Sequence, residues 1–309
     1  MIDPLIINTI IYSSILGLSS LSLTLTYLTT KVPNFAQGVF LLLGSYVTFT
    51  VAEVLKQNPY LSLPIAFLLG GAVALIQYYG VLLPLSTRGG SLVTQMVATL
   101  AFSILLYGGL NAYASYLDYV YKVQSRDVTL GFLDYNLGGG IRAVFLVSTV
   151  LAVAFILSLY LFLNRTRLGI SVRATVENPF LAESMGINTK LVKAISWFLS
   201  GGMASAAGSL YPLQFVFSPT LAYSILLSVF AGSVLGGLMS LFGGFIGGFI
   251  EGFIEKYVVT ELSIYLSPVI GVSPFVINQY STLVPLIVVA AVLLIAPNGI
   301  MGMRVKRWR

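Results

Sequence analysis

Cysteine and histidine, which carry much of the nucleophilic, metal and proton-transfer chemistry of proteins, are both absent from this 309-residue chain. Their absence excludes thiolate catalysis, disulfides, the usual zinc sites and histidine proton relays. Charge is sparse too, with 16 Lys and Arg and 10 Asp and Glu. No Gly-x-x-x-x-Gly-Lys-(Ser/Thr) run occurs, so no phosphate-cradling loop for ATP is built into the chain. The carboxylates closest to an apolar interior are Glu53, Glu251 and Glu255, each within a turn or two of the end of an apolar stretch. Glu255 precedes Lys256 and lies near Glu261, which reads as a solvated edge. Ion-coupled carriers place ionisable groups deep in their spans, so this pattern disfavours a proton-coupled carrier. No catalytic residue, metal site or cofactor is expected on this chain.

The most informative polar spacing is Glu177-Asn-Pro-Phe-Leu-Ala-Glu-Ser-Met-Gly-Ile-Asn188. Asn178 suits an N-cap, Pro179 suits the first helical position where its missing N–H costs nothing, and Gly186 suits a left-handed stop. The spacing predicts a two-turn helix over 179–185, with Leu181 and Met185 on one face, Phe180 beside them and Glu183 on another side. A helix this short is unstable alone in water. Its apolar face therefore expects cover, either a groove on another protein or the headgroups beneath a basic interfacial loop. A second spacing, Val32-Pro-Asn-Phe-Ala-Gln-Gly38, has Pro33 ending one helix, and Asn34 with Gln37 three residues later as an Asn version of a capping box. Polar groups at such a helix start can equally line a transport path, as in broken-helix transporters.

The elements that position these residues are membrane spans. The chain is 57% hydrophobic and 8% charged, with a mean hydropathy of +0.95. A soluble domain needs roughly a quarter of its residues charged. Apolar stretches of about 20 residues, each long enough to cross a hydrocarbon core, recur without the period-two alternation of a β-barrel. The expected fold class is all-α, a polytopic transmembrane helical bundle of about 8–10 spans forming a single transmembrane domain over 1–309. The candidates are 5–29, 34–55, 62–86, 91–115, 142–163, 191–213, 220–238, 242–258 and 280–297. Residues 262–272 are too short to cross and read as a re-entrant or interfacial piece. The first stretch is too long for a signal peptide and lacks a basic start and a cleavage site, so it reads as the first span.

Lysine and arginine orient the bundle. Arg165, Arg167, Arg173, Lys190 and Lys193 fall in or beside the loop 165–190, and Arg304, Lys306, Arg307 and Arg309 in the tail 303–309. Both segments read as cytoplasmic by the positive-inside rule, which also accounts for the +6 net charge without nucleic acid. The loop 116–141 carries Asp118, Asp127 and Asp134 against Lys122 and Arg126, and reads as external together with the N-terminus. Gly244, Gly248 and Gly252 recur every four residues and predict close helix packing.

The order Arg165-Thr-Arg-Leu-Gly169, Arg173-Ala174, Glu177-Asn-Pro179 and Ala182-Glu-Ser-Met-Gly-Ile-Asn188 resembles the cytoplasmic loop of permease subunits of branched-chain amino-acid ABC importers. Asn34-Phe-Ala-Gln-Gly38 with Leu43-Gly-Ser-Tyr46, the glycine-rich stretch 230–252 and Ala296-Pro-Asn-Gly-Ile-Met-Gly302 are similar to the same family, although Ala296 stands where the family has arginine. The matching segments run from about residue 20 to residue 302. The resemblance implies a cell-membrane importer permease for branched-chain or hydrophobic amino acids or a related small neutral solute. It implies a coupling helix docked on an ATPase through Glu177, Asn178, Pro179, Leu181, Ala182, Met185, Gly186 and Ile187. A substrate pathway near Asn34, Gln37 and Gly38, with the small residues 201–208, is expected as well. The implied partners are ABC ATPase subunits holding ATP and Mg, a homologous second permease or another copy of this chain, an extracytoplasmic solute-binding protein and membrane lipid. The alternative is a stand-alone secondary carrier or channel for small neutral solutes.

Overall fold

A computed structural model describes residues 3–138 and 140–301. Helix α1 (Pro4–Thr30) begins at Asp3, whose carboxylate accepts the Leu5 amide at 2.8 Å, with Pro4 at the first helical position. It ends at Lys31, in the left-handed region with φ 59°. Helices α2 (Gln37–Val54), α3 (Pro59–Thr87) and α4 (Leu92–Tyr121) follow, each containing a wide π turn. Then come α5 (Ala143–Arg165), α6 (Arg167–Glu177), α7 (Pro179–Ser184), α8 (Thr189–Leu210) and α9 (Leu221–Gly236). Helix α10 (Leu241–Phe253) continues through a π turn at Ile254–Val258 into α11 (Val259–Ile270), and α12 (Pro274–Met301) completes the described chain.

The most apolar 18-residue window of α1 is 78% buried, whereas that of α4 is 11% buried. So α1 is the central post, packed by α10, α8, α5 and α9, and α4 belongs to the rim. Helix α2 is the second inner element, held by α8, α9 and α3. A helix as rich in Ser and Thr as α1 tolerates burial because its hydroxyls return to its own carbonyls. Ser19 Oγ donates to the Ile15 carbonyl at 2.9 Å, and Thr24 Oγ1 to that of Ser20 at 2.9 Å. Other hydroxyls tie it to its neighbours: Ser20 Oγ donates to the Val229 carbonyl at 3.0 Å, and Ser200 Oγ to the Ser22 carbonyl at 2.7 Å. As expected from the four-residue repeat, Gly244, Gly248 and Gly252 line the contact with α1, facing Thr24, Ser20 and Ser13.

All nine expected spans are helical. Six described helices are long and apolar enough to cross a membrane, namely α1 to α5 and α12. The other three expected spans are the more polar α8, the short α9, and the α10–α11 run with its charged residues. One expectation is corrected here. Residues 262–272 are no separate re-entrant piece, because α11 carries the α10 helix on to Ile270. Glu255, Lys256 and Glu261 end the apolar window, but the backbone absorbs them in the π turn and the first turn after it. The loop 116–141 is also more ordered than its charges suggest. Its Leu130 amide donates to the Pro212 carbonyl at 2.7 Å, and Val128 pairs with Phe217 in an antiparallel bridge.

Candidate functional site

At the end of the bundle where α5 finishes, the chain leaves the apolar slab and folds two short helices. Thr166 caps α6, its hydroxyl accepting the Gly169 amide at 3.0 Å, and Gly169 lies against the last turn of α5. Sequence reasoning read 165–177 as loop. It is helical, with Gly169, Val172 and Thr175 three residues apart on the side that is buried.

Helix α7 has the predicted punctuation. The Asn178 side chain accepts the Leu181 amide at 3.1 Å, and Pro179 occupies the first helical position. Gly186 stops the helix at φ +82°. A side chain there would be strained, although nothing crowds the position. The freed carbonyls of Ala182 and Glu183 accept the amides of Ile187 at 3.0 Å and Gly186 at 2.9 Å. Ala182 is the buried foot of the helix, and the Glu183 carboxylate accepts the hydroxyl of Thr189 at the start of α8. Glu177 ends α6 immediately before the cap. The opposite face is bare: Phe180 is 84% exposed, Leu181 61% and Met185 78%. Two large apolar side chains on this six-residue helix, Phe180 and Leu181, and a third at its C-cap, Met185, leave an exposed apolar face on an element pinned at both ends.

The second group of expected site residues lies deep in the bundle. Asn34 and Gln37 are buried, and the capping-box reading is corrected. Helix α2 starts at Gln37 after Ala36, with no side-chain cap, and the Gln37 amide group reaches across to the Ser22 hydroxyl on α1. Asn34 instead accepts the Ala36 amide at 3.1 Å and the Gln77 side-chain amide at 3.0 Å from α3. Ser22, Gln37, Asn34 and Gln77 thus form one chain of hydrogen bonds joining α1, α2 and α3. Gly38 is placed apart from it, where α2 crosses the backbone of Ala222 on α9. In the stretch 201–208, Gly201 and Gly208 are crossing points, against Gly70 on α3 and Leu41 on α2.

A third group was misread. Glu251 and Glu255 do not lie at a solvated edge: Glu251 is fully buried and Glu255 is 7% exposed. They face the interior because they continue the line of Gly243 and Gly247, which packs on Gly236 and Gly232 of α9 beside α1. Glu255 accepts the Tyr12 hydroxyl at 3.0 Å and the Ser228 hydroxyl at 2.9 Å. Both carboxyl oxygens of Glu251 lack a hydrogen-bond partner among the described residues. Lys256 turns away and rests its ammonium 4.6 Å from the centre of the Tyr12 ring. The signal that was available is the four-residue spacing, which puts Glu251 and Glu255 in line with Gly243 and Gly247. Only Glu53 is an edge residue as read, paired with Lys56 at 2.6 Å.

An inner, hydroxyl-rich post, apolar rim helices and a short capped helix with a bare apolar face at one end define a multi-pass helical membrane protein. Comparison with known proteins makes the class specific. The family described as "Branched-chain amino acid transport system / permease component" matches residues 5–297, and the chain belongs to it. It is 40% identical over 302 residues, 96% of this chain and 92% of the relative, to the probable branched-chain amino acid transport permease protein LivH of Methanocaldococcus jannaschii. It is 27% identical to the high-affinity branched-chain amino acid transport system permease protein LivH of Escherichia coli K12, over 96% of this chain and 94% of that one. The corresponding protein BraD of Pseudomonas aeruginosa is 25% identical over the same shares.

Proposed function

We propose that this permease is the membrane subunit of an ATP-driven importer for branched-chain or other hydrophobic amino acids, and that α7 is its coupling helix. In this reading ATP and Mg are bound by separate ABC ATPase subunits. A second permease, homologous or identical, completes the pore, and an extracytoplasmic solute-binding protein delivers the substrate. The observation that carries the proposal is the exposed trio Phe180, Leu181 and Met185 on a helix capped and anchored at both ends. Such a helix moves as a rigid lever with α8, through the Glu183–Thr189 hydrogen bond. Because α8 packs on α1, α2 and α3, a push on α7 reaches every inner helix. The polar chain Ser22–Gln37–Asn34–Gln77 is the part of the interior best suited to part and re-form as substrate passes, since each link joins different helices.

The test uses the assembled transporter in proteoliposomes. Leu181→Asp and Met185→Asp each place a charge on the docking face without touching the buried foot at Ala182. Both variants are expected to assemble and to lose the transport-dependent part of ATP hydrolysis together with uptake. Uptake driven by ATP at the wild-type rate in both variants would refute the docking assignment. The buried carboxyl pair Glu251–Glu255 favours one rival, an ion-coupled carrier. Uptake by this chain alone, driven by an ion gradient without ATP, would establish that rival.

A further inference from the structure

Beside α7, where the same end of α3 meets the starts of α4 and α8, lies a cavity of about 290 Å³. That volume is at the lower limit of small-ligand pockets. Lys190 and Lys193, one turn apart on α8, supply its positive charge, and neither makes an ion pair among the described residues. Glu183 also lines it, but its carboxylate already accepts the Thr189 hydroxyl. Tyr78, at the π turn in α3, is 3% exposed overall and lines the cavity, and its hydroxyl has no hydrogen-bond partner among the described residues. Gln95 contributes a side-chain amide, one hydrogen of which goes to the Gly90 carbonyl at 3.1 Å, leaving the other for a ligand. A phenol O–H left without a protein partner is free to donate to a ligand that enters the cavity. Two lysines, a tyrosine and a glutamine lining one space supply a set of donors, and the ligand that set suits is an anion with several acceptor oxygens.

We propose that this cavity binds a phosphate-bearing anion, held by Lys190, Lys193 and Tyr78, and that the occupant bridges α8 to α3 beside the docking helix. Two sources offer that chemistry: the headgroup of an anionic phospholipid at the membrane surface, and soluble phosphate. The location at the end of the membrane-crossing helices favours the lipid, since basic pockets between spans collect acidic headgroups. The site is separate from the docking face, because Phe180, Leu181 and Met185 are absent from its lining.

The experiment takes the full-length chain in a non-ionic detergent and measures binding by native mass spectrometry and the accompanying shift in melting temperature. The added probes are phosphatidylglycerol, phosphatidylcholine and inorganic phosphate. Phosphatidylglycerol is expected to bind and stabilise. Lys190→Gln with Lys193→Gln should weaken that binding roughly 25-fold, the product of about fivefold for each surface cation. Tyr78→Phe, which keeps the ring and removes only the hydroxyl, should weaken it by a smaller factor and guards against misfolding of the double variant. Arg165→Gln, a basic residue at the same end outside the cavity, should leave binding unchanged. Lysine-dependent stabilisation by inorganic phosphate would also support the site and assign it to the soluble source. Equal retention of phosphatidylcholine, no binding of either anion, or an equal loss in Arg165→Gln would each overturn the proposal.

Discussion

Glu251 and Glu255 show how two identical residues one turn apart acquire opposite energetic roles. Glu255 is the acceptor for two buried hydroxyls, Tyr12 and Ser228. Glu251 accepts nothing among the described residues. Replacing Glu255 with Ala strands both hydroxyls, and each stranded group costs about 1–3 kcal/mol. Replacing Glu251 with Met keeps the volume and removes a buried polar group without donors, a change that is often neutral or stabilising. The expected outcome is a lowered melting temperature for Glu255→Ala and an unchanged or raised one for Glu251→Met, read by thermal unfolding of the purified chain. A Glu251→Met variant as destabilised as Glu255→Ala would mean that Glu251 is structurally partnered after all. The four-residue line with Gly243 and Gly247 carried a signal for their burial, but nothing in the sequence said which of the two would find partners. Burial of a carboxyl depends on which face of α10 meets α1, and a window average reports only that the apolar run ends. Gln37 teaches the same lesson at the other end of α1. A capping box is a local pattern, but here the Gln37 oxygen accepts the Asn34 side-chain amide and the Gln37 amide donates to Ser22 on the facing helix.

Among the elements, those fixed by neighbours in sequence were the most readable. Asn178, Pro179 and Gly186 specify the start and stop of α7 within nine residues, and the helix forms between them. The four-residue glycine repeat was equally legible, because a stripe of missing side chains has one structural use inside a bundle. That use can be tested against a glycine without it. A Cβ at Gly248 would press on Ser20 and the Leu16 carbonyl of α1, whereas at Gly109, in the rim helix α4, it would meet nothing within 4 Å. Overpacking at a helix crossing costs about 1–3 kcal/mol. Alanine in place of glycine inside an open helix gains up to about 1 kcal/mol. Gly248→Val should therefore lower the melting temperature and the yield of folded protein, while Gly109→Ala leaves both unchanged or improved. Equal tolerance of the two would mean that α10 does not ride on α1 as described. What spacing could not supply is the join between α10 and α11, since charges that close an apolar window do not break a helical backbone.

For the whole molecule the decisive question is which loops share a side, and α8 answers it geometrically. Its first residue, Thr189, bonds to Glu183 of α7. Just beyond its last residue, Pro212 accepts the Leu130 amide from the loop 116–141. The 22 residues of α8 at 1.5 Å each set these two loops roughly 33 Å apart, about the thickness of a hydrocarbon core. They are at opposite ends of the bundle, as the excess of Arg and Lys at one and the acidic residues at the other led the sequence reading to expect. The cysteine-free sequence allows a clean test of the sidedness. Phe132 is 71% exposed in the loop 116–141, and Phe180 is 84% exposed on α7. In intact cells a membrane-impermeant maleimide should label Phe132→Cys at once and Phe180→Cys only after permeabilisation. If α7 docks on an ATPase, labelling of Phe180→Cys in permeabilised cells should fall when the partner ATPase is co-expressed, while Phe132→Cys stays unaffected. Labelling of both positions from outside would break the link between α8 and membrane thickness. Labelling of Phe180→Cys alone from outside would invert the orientation and put the docking face where no ATPase can reach it.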